Sequence, residues 1–460
     1  MSQKPSIPQG TRDFGPTEVL QRKYVLNCIE NVFKQAGFMP IETPSMENLS
    51  TLTGKYGSEG DQLLYKIINS GDFFKKITEG NDATNSVGNL TSKQLLPLIA
   101  EKGLRYDLTV PFARYVVMNR NNIQFPFKRY QMQPVWRADR PQKGRYREFW
   151  QCDADIVGSD SLLNEFELLL IYDQVFQQLH IPVTIKINNR KILSALAEAC
   201  GSIELINTIA VGIDKLDKIG LDKVIDELKN EGINEQAIEK IKAYLQLPKH
   251  IDSLTALEQI CNNNASFVKG KEEIEELLVY LKDRTHTAIE IDFSLARGLG
   301  YYTGTIVEVQ ANAGTLKMSI GGGGRYDNLT SIFGLNGVSG VGISFGLDRI
   351  CDVLNELNLY PENLIAKSSK ILFCHFEKDG QLKGLDYTLQ LRSKGIAAEV
   401  YPDITKKIGK QLDYANALNI PFVGIIGESE IKQHQIMLKE LSSGNQTEIN
   451  ISDLIKILGH

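Results

Sequence analysis

Apolar residues recur at helical spacing near the start of the chain, where Val25, Ile29, Val32, Phe33 and Ala36 share one face, Thr17 can cap the helix and Gly37 ends it. The pattern predicts an amphipathic helix of about five turns. Phe38 to Met46 reads as extended chain broken by Pro40 and Pro44, either an edge strand or a partner-facing segment, with plain core packing as the alternative. From Ile192 to about Leu281 the texture becomes helical and rich in Lys, Glu and Leu, as in LDKVIDELKN and EQAIEKIKAYLQL, which predicts a mostly helical inserted module. Strand alternation returns in TAIEIDFS from Thr287, Gly-rich turns follow through Gly346, and SFGLDRICDVLNEL closes that region as a helix. Then ILFCHF, a polar helix, AAEVY, a helix from Lys406 to Leu418 and FVGIIG alternate as β and α units, a separate domain of roughly ninety residues.

Lys128 to Arg147, KRYQMQPVWRADRPQKGRYR, carries seven Lys or Arg against one Asp. Two extended runs flank DRPQKG, whose Pro141 and Gly144 mark a turn, so an antiparallel hairpin with a long loop is expected. Odd positions are Arg129, Gln131, Gln133, Arg137, Arg145, Arg147, Gln151, Asp153 and Asp155, whereas even ones include Tyr130, Met132, Trp136, Trp150, Cys152 and Ile156. One face is polar and the other apolar. A merely wet sheet face would give the same pattern. Against that, the forks of Arg137 and Arg145 can take phosphate oxygens bidentately, and Gln151 and Asp155 supply acceptors for an amine or a ring N–H. Such a face suits a zwitterion beside a polyphosphate.

Two glycine-rich segments follow. In LARGLGYYTGTIVEVQ, Gly298 and Gly300 permit a tight turn beside Arg297, Tyr301 and Tyr302; in SIGGGGRYDNL, Gly321 to Gly324 let backbone approach a ligand, without the ending of a Walker loop. SGVGISFGLDRI admits three readings. It matches a serine nucleophile elbow at Ser344, with His375 or His434 as base; it resembles part of a dinucleotide fingerprint; or a strand over 341 to 345 leads into a helix whose first turn holds Arg349 against phosphate. The third agrees with the hairpin.

Length and charge narrow the class. With 460 residues the chain should form two or three domains, and 51 − 56 = −5 leaves any anion site to local clustering. The six cysteines include no C-x-x-C and the six histidines form no close group, so neither a zinc cluster nor a disulfide framework is expected. MSQKPSIPQG lacks the apolar region of a signal peptide, and no run approaches the roughly 20 apolar residues of a membrane helix. A soluble, cytoplasmic protein is expected, with no membrane partner.

In order, these segments resemble the three signature motifs of class II aminoacyl-tRNA synthetases, and specifically the histidyl-tRNA synthetase family. GTRDFGPTEVLQRKYV through ETPSMENL is similar to the first motif, WRADRPQKGRYREFWQCDADIVG to the second and GVGISFGLDRI to the third. ARGLGYYTGTIVEV and GGGGRYD resemble the histidine-specific motifs, LRYDLTVPFARY the segment that receives the amino acid, and KKIGKQLDYANALNIPFVGIIGESE the anticodon-binding domain. Asp107 stands where many bacterial members carry glutamate, and Gly300 replaces the aspartate of the usual R-G-L-D-Y-Y.

The resemblance implies an α+β class II synthetase core with an antiparallel sheet flanked by helices, a helical insertion, and a C-terminal α/β anticodon-binding domain. The corresponding boundaries are 1–190 and 287–365 for the core, 191–286 for the insertion and 368–460 for the last domain. It implies that Asp107, Thr109 and Gln151 hold the α-amino group of L-histidine and that Asp155 and Tyr302, with Tyr301 beside it, read the imidazole. Arg137 would grip the α-phosphate and the histidine carboxylate, Arg145 and Arg349 the outer phosphates, and Arg297 would stand near the α-phosphate. Arg140 and Gln142 would meet the tRNA acceptor end. ATP is then a substrate, Mg2+ accompanies it, tRNA(His) receives the amino acid, and the protein is a homodimer. The alternative is a non-catalytic histidine-sensing regulatory paralogue of ATP phosphoribosyltransferase, a group that lacks the anticodon-binding domain and degrades the catalytic arginines.

Overall fold

The computed structural model describes residues 4–73, 91–201, 203–296, 302–312, 318–362, 364 and 369–459. Two compact units emerge, Met1–Phe14 with Gln21–Tyr360, and Gly15–Leu20 with Pro361–His460.

The first unit is built on an eight-stranded sheet in the order Met39–Pro40, Phe127–Trp136, Glu148–Val157, Gly340–Gly346, Ser319–Tyr326, Thr305–Ala311, Val183–Asn189 and Ala288–Ile291. The pairings are antiparallel except at the two edges, where Met39 and Pro40 run parallel to Arg129 and Tyr130, and Val183–Asn189 runs parallel to Ala288–Ile291. Phe38 to Met46 is thus an edge strand over two of its residues. The expected hairpin is present, with Gln133 opposite Gln151 and Arg129 opposite Asp155.

Alternation sorts the hairpin's side chains as the sequence requires. Tyr130, Cys152, Ala154 and Ile156 enter a core completed by Val25, Ile29, Val32 and Phe33 of helix Pro16–Gln35 and by Leu168, Tyr172 and Phe176 of helix Leu163–Gln178. Phe345 of strand Gly340–Gly346 is the centre of that packing, with ring centroids 5.9 Å from Phe33 and 4.6 Å from Tyr172. The polar face is not wet: Arg129 is 0% exposed, Gln131 1%, and Asp153 and Asp155 2% each. Helix Thr109–Met118 covers part of it, bringing the Phe112 ring centroid 4.2 Å from the Arg129 guanidinium.

Between Arg190 and Leu281 the described chain is helical. Its apolar stripes do not close a core of their own, since Val224, Ile238, Leu257 and Phe267 belong to the same buried cluster as the sheet residues Ile185 and Val309. One crossing is tight: a Cβ on Gly270 would stand 3.0 Å from Ile192 Cδ1 and 3.2 Å from the Ile192 backbone nitrogen, so that neighbour would have to give.

The second unit carries a five-stranded sheet in the order Ala398–Val400, Ile371–His375, Phe422–Ile426, Ile436–Glu440 and Gln446–Ile449, the first three parallel and the last two antiparallel. Helices Lys378–Arg392, Ile408–Ala417 and Ile451–Leu458 cover it, and apolar clusters form around Phe373 and Leu454 and around Leu372 and Ala415. The antiparallel closing hairpin was not evident from the alternating β and α pattern. Among the described residues no helix is long and apolar enough to cross a membrane.

Candidate active site

A cleft of about 280 Å³ opens on the first unit's sheet, floored by Gly321, Gly322 and Ser344 and walled by Arg137, Arg145, Arg349, Gln151, Tyr302 and Glu308. The hairpin brings in two of the arginines. Arg137 follows the end of strand Phe127–Trp136, where its N–H donates to Arg147 O; its Nε donates to Tyr106 O at 3.1 Å, and the guanidinium lies 4.2 Å from the Tyr106 ring centroid and 5.1 Å from that of Phe149. Aromatic faces attract the cation while leaving its remaining N–H groups to a ligand. Arg145 is half exposed, with Nη1 3.9 Å from Asp139 Oδ1, so it is the loosest of the three.

Arg349 arrives from the other side, in the first turn of helix Leu347–Leu357, with Nε donating to Gly144 O at 2.8 Å and Nη1 to Ser319 O at 2.7 Å. One guanidinium thus joins the loop of the hairpin to the glycine strand. Gly144 has φ +73°, so the turn favours glycine, and a Cβ there would press on the tip of Met318. Asp348, beside Arg349, accepts from Trp150 N–H at 2.8 Å and pairs with Arg22 at 2.6 Å and with Arg12.

Beneath the cleft runs a layer of buried polar side chains. Gln151 Nε2 donates to Ser344 Oγ at 2.8 Å; Arg129 Nη2 lies 2.6 Å from Asp155 Oδ2; Tyr326 OH donates to Asp155 Oδ1 at 2.5 Å. Burial pushes the Asp153 carboxyl up to about 7, opposed by Arg129 and reinforced by Asp155. Burial likewise raises the Tyr302 hydroxyl, and Asp155, Asp153 and Asp107 add to it while Arg137 opposes, so Tyr302 lies within reach of all four charges and stays protonated. Asp107 is 2% exposed; its Oδ1 accepts from Tyr56 OH at 2.9 Å and from Val110 N–H at 3.2 Å.

Of the residues expected at the site, Arg137, Arg145, Gln151, Tyr302 and Arg349 line one cleft. Asp107 and Asp155 are buried close enough to act on Tyr302, and Thr109 begins the helix whose Val110 N–H donates to Asp107. Arg140 and Gln142 are exposed in the hairpin loop, where Gln142 and Arg145 form a backbone bridge. Arg297 and Tyr301 lie outside the described residues. Three participants escaped the sequence reading as individuals: Arg129 and Asp153 were visible only through their odd parity, and Glu308 gave no signal beyond strand alternation.

Two rival readings of GVGISFG fail on geometry. Ser344 sits inside strand Gly340–Gly346, not on a strand-to-helix elbow, and its hydroxyl accepts from Gln151. Gly340 and Gly342 are paired ladder residues opposite Val157 and Asp155, not a phosphate-wrapping turn. His375 is buried in the second unit with Nε2 2.7 Å from Tyr401 O.

Among the described residues no three His, Cys, Asp or Glu side chains gather to hold a metal. An ion carried on nucleotide phosphates needs only one or two protein carboxylates. Glu308 and Asp139, which line the cleft, could each supply one.

Comparison with known proteins agrees with this arrangement. The family model described as histidyl-tRNA synthetase matches residues 100–350, and that of an anticodon binding domain matches 381–459. The sheet and the second domain are those of an aminoacyl-tRNA synthetase. The chain is 53% identical over 463 residues to the histidine–tRNA ligase of Bacteroides fragilis (strain YCH46), covering all of both chains. It belongs to the histidyl-tRNA synthetase family. It is similar to the crystal structure of histidyl-tRNA synthetase from Nostoc sp. PCC 7120, with a TM-score of 0.77 and 30% identity over 100% of this chain and 99% of that one. A structure described as an ATP phosphoribosyltransferase regulatory subunit/histidyl-tRNA synthetase from Bacillus halodurans C shares the fold, at TM-score 0.71 and 17% identity over 92% of this chain and 99% of that one. Fold alone therefore does not separate ligase from regulator, whereas identity across both domains favours the ligase.

Proposed function

We propose that the cleft is where this histidine–tRNA ligase joins the carboxylate of L-histidine to the α-phosphorus of ATP, releasing pyrophosphate, before the histidyl group passes to the 3′ end of tRNA(His). The observation that carries this reading is the convergence of Arg137, Arg145 and Arg349 on a cleft that Gln151 and Ser344 also line. Guanidinium groups held in place before the reaction stabilise charge as it spreads over the phosphates, and in-line placement of the two substrates supplies much of the rest. No covalent nucleophile from the protein is needed.

Arg137 takes the α-phosphate and the histidine carboxylate, and Arg297 stands with it; Arg145 and Arg349 take the outer phosphates. Asp107, Thr109 and Gln151 hold the α-ammonium group. Asp155 and Tyr302, with Tyr301, read the imidazole, and a polar pocket of this kind rejects ligands that leave its groups unpaired by up to about 10⁴ to 10⁵. Arg140 and Gln142 meet the acceptor end of the tRNA. Glu308 or Asp139 would supply a protein oxygen to a Mg2+ carried on ATP, and that ion would offset phosphate charge. The protein works as a cytoplasmic homodimer, for which light scattering at micromolar concentration should give twice the chain mass.

The test is charging of tRNA(His) with labelled histidine. Histidyl-tRNA formed in the presence of ATP supports the reading. Histidine binding without charging would favour the regulatory paralogue.

A further inference from the structure

We propose that Ser344 is a positioning residue that fixes which way round the Gln151 amide faces, so that Gln151 Oε1 is presented to the ammonium group of the amino-acid substrate. The inference rests on the reading of the cleft as the amino-acid site.

Ser344 lies opposite Asp153 on one neighbouring strand and opposite Gly322 on the other. Its hydroxyl has one proton and two lone pairs. Asp153 faces Ser344 across the ladder, and the hydroxyl is near enough to lower its carboxyl, which offers that proton an acceptor. The lone pairs are left for Gln151, whose Nε2 donates to Oγ at 2.8 Å. With the hydroxyl proton turned to Asp153, only the amide nitrogen can make that contact.

Gln151 Oε1 is then the end of the amide left over. It is shielded from solvent and has no hydrogen-bond partner among the described residues. A buried carbonyl oxygen without a donor is costly until one arrives, and an ammonium brings three donors and no acceptor. Reversed, the amide would set its own N–H groups against those of the ammonium. Neighbouring residues keep the arrangement open and fixed: a Cβ on Gly322 would meet only Val307 O, at 3.3 Å, and the Tyr172 hydroxyl stands 2.9 Å from the carbonyl oxygens of both Gly322 and Ser344. GISFG thus uses its serine as a hydrogen-bond relay rather than a nucleophile.

Calorimetric titration of the full chain with L-histidine and with imidazole-4-propionate, which lacks the ammonium group, tests this. The wild type should prefer histidine. Ser344→Ala and Ser344→Cys should shrink that preference by about ten-fold, the loss expected for a hydrogen bond to a charged group, with ATP affinity unchanged. Ser344→Thr, which keeps the hydroxyl, should retain it. An unchanged preference in folded Ser344→Cys, equal weakening of both ligands, or a threonine variant that behaves like alanine would overturn the proposal. Should Ser344→Ala not fold, the cysteine variant, close to serine in volume, decides alone. A wild type that binds neither ligand would remove the amino-acid reading itself, a result distinct from failure of the Ser344 variants.

Discussion

Arg129 and Asp155 face each other across the hairpin with Nη2 2.6 Å from Oδ2, and both side chains are sealed from solvent. Tyr326 holds the other carboxylate oxygen, and Gly342 makes room for it, because a Cβ there would stand 2.0 Å from Asp155 Oδ1. The carboxylate is oriented before any ligand arrives. Burial still raises its affinity for a proton, with Arg129 as the largest opposing influence.

Removing the cation should therefore be costly. Arg129→Met leaves Asp155 as an uncompensated buried charge, and loss of one partner of a buried pair costs about 3–5 kcal/mol. Urea unfolding of the variant should show a lower midpoint with a similar slope. An unchanged midpoint would mean that the pair contributes nothing to the folded state.

Asp153 gives the fold a pH dependence of definite sign. Burial first, then Asp155, raises its carboxyl from 3.8 to about 7, with Arg129 opposing. Between those values the folded chain holds a proton that the unfolded chain has released, so the contribution of Asp153 to stability is greatest below about 4, falls as pH rises to about 7 and levels off above. Asp153→Asn should flatten that slope. Unfolding midpoints at about pH 5 and about pH 8 check it; a variant as pH-dependent as the wild type would contradict the assignment.

The hairpin was legible because strand alternation is a local rule: Arg129, Gln131 and Gln133, with Gln151, Asp153 and Asp155, fell on one face whatever lay above them. What covered that face was not. Phe112 over Arg129 and Tyr326 on Asp155 come from segments distant along the chain, and parity does not say whether a polar face meets water or a second layer. Asp348 shows the same limit, since its partners Arg12 and Arg22 lie more than 300 residues away. The glycines were visible as letters, but that Gly342 accommodates a carboxylate and Gly144 both a turn and Met318 required the folded neighbours.

Arg349 both lines the cleft and ties Gly144 to Ser319. Arg349→Ala should lower kcat/KM for ATP in pyrophosphate exchange by about 10²–10³, the range seen when one preorganised donor is lost. Histidine affinity should stay within about two-fold, because removing an interaction specific to one substrate leaves the other's binding intact. Steady-state exchange with calorimetry for histidine separates these. Equal loss for both substrates would place Arg349 in the fold rather than at the nucleotide.

ATP–pyrophosphate exchange, run with each of the standard amino acids and no tRNA, checks amino-acid activation and its histidine specificity together. Exchange with histidine alone is the predicted result. Exchange with another amino acid would contradict the specificity assigned to Asp155 and Tyr302, and no exchange while histidine still binds would contradict the ligase reading of the arginine cleft.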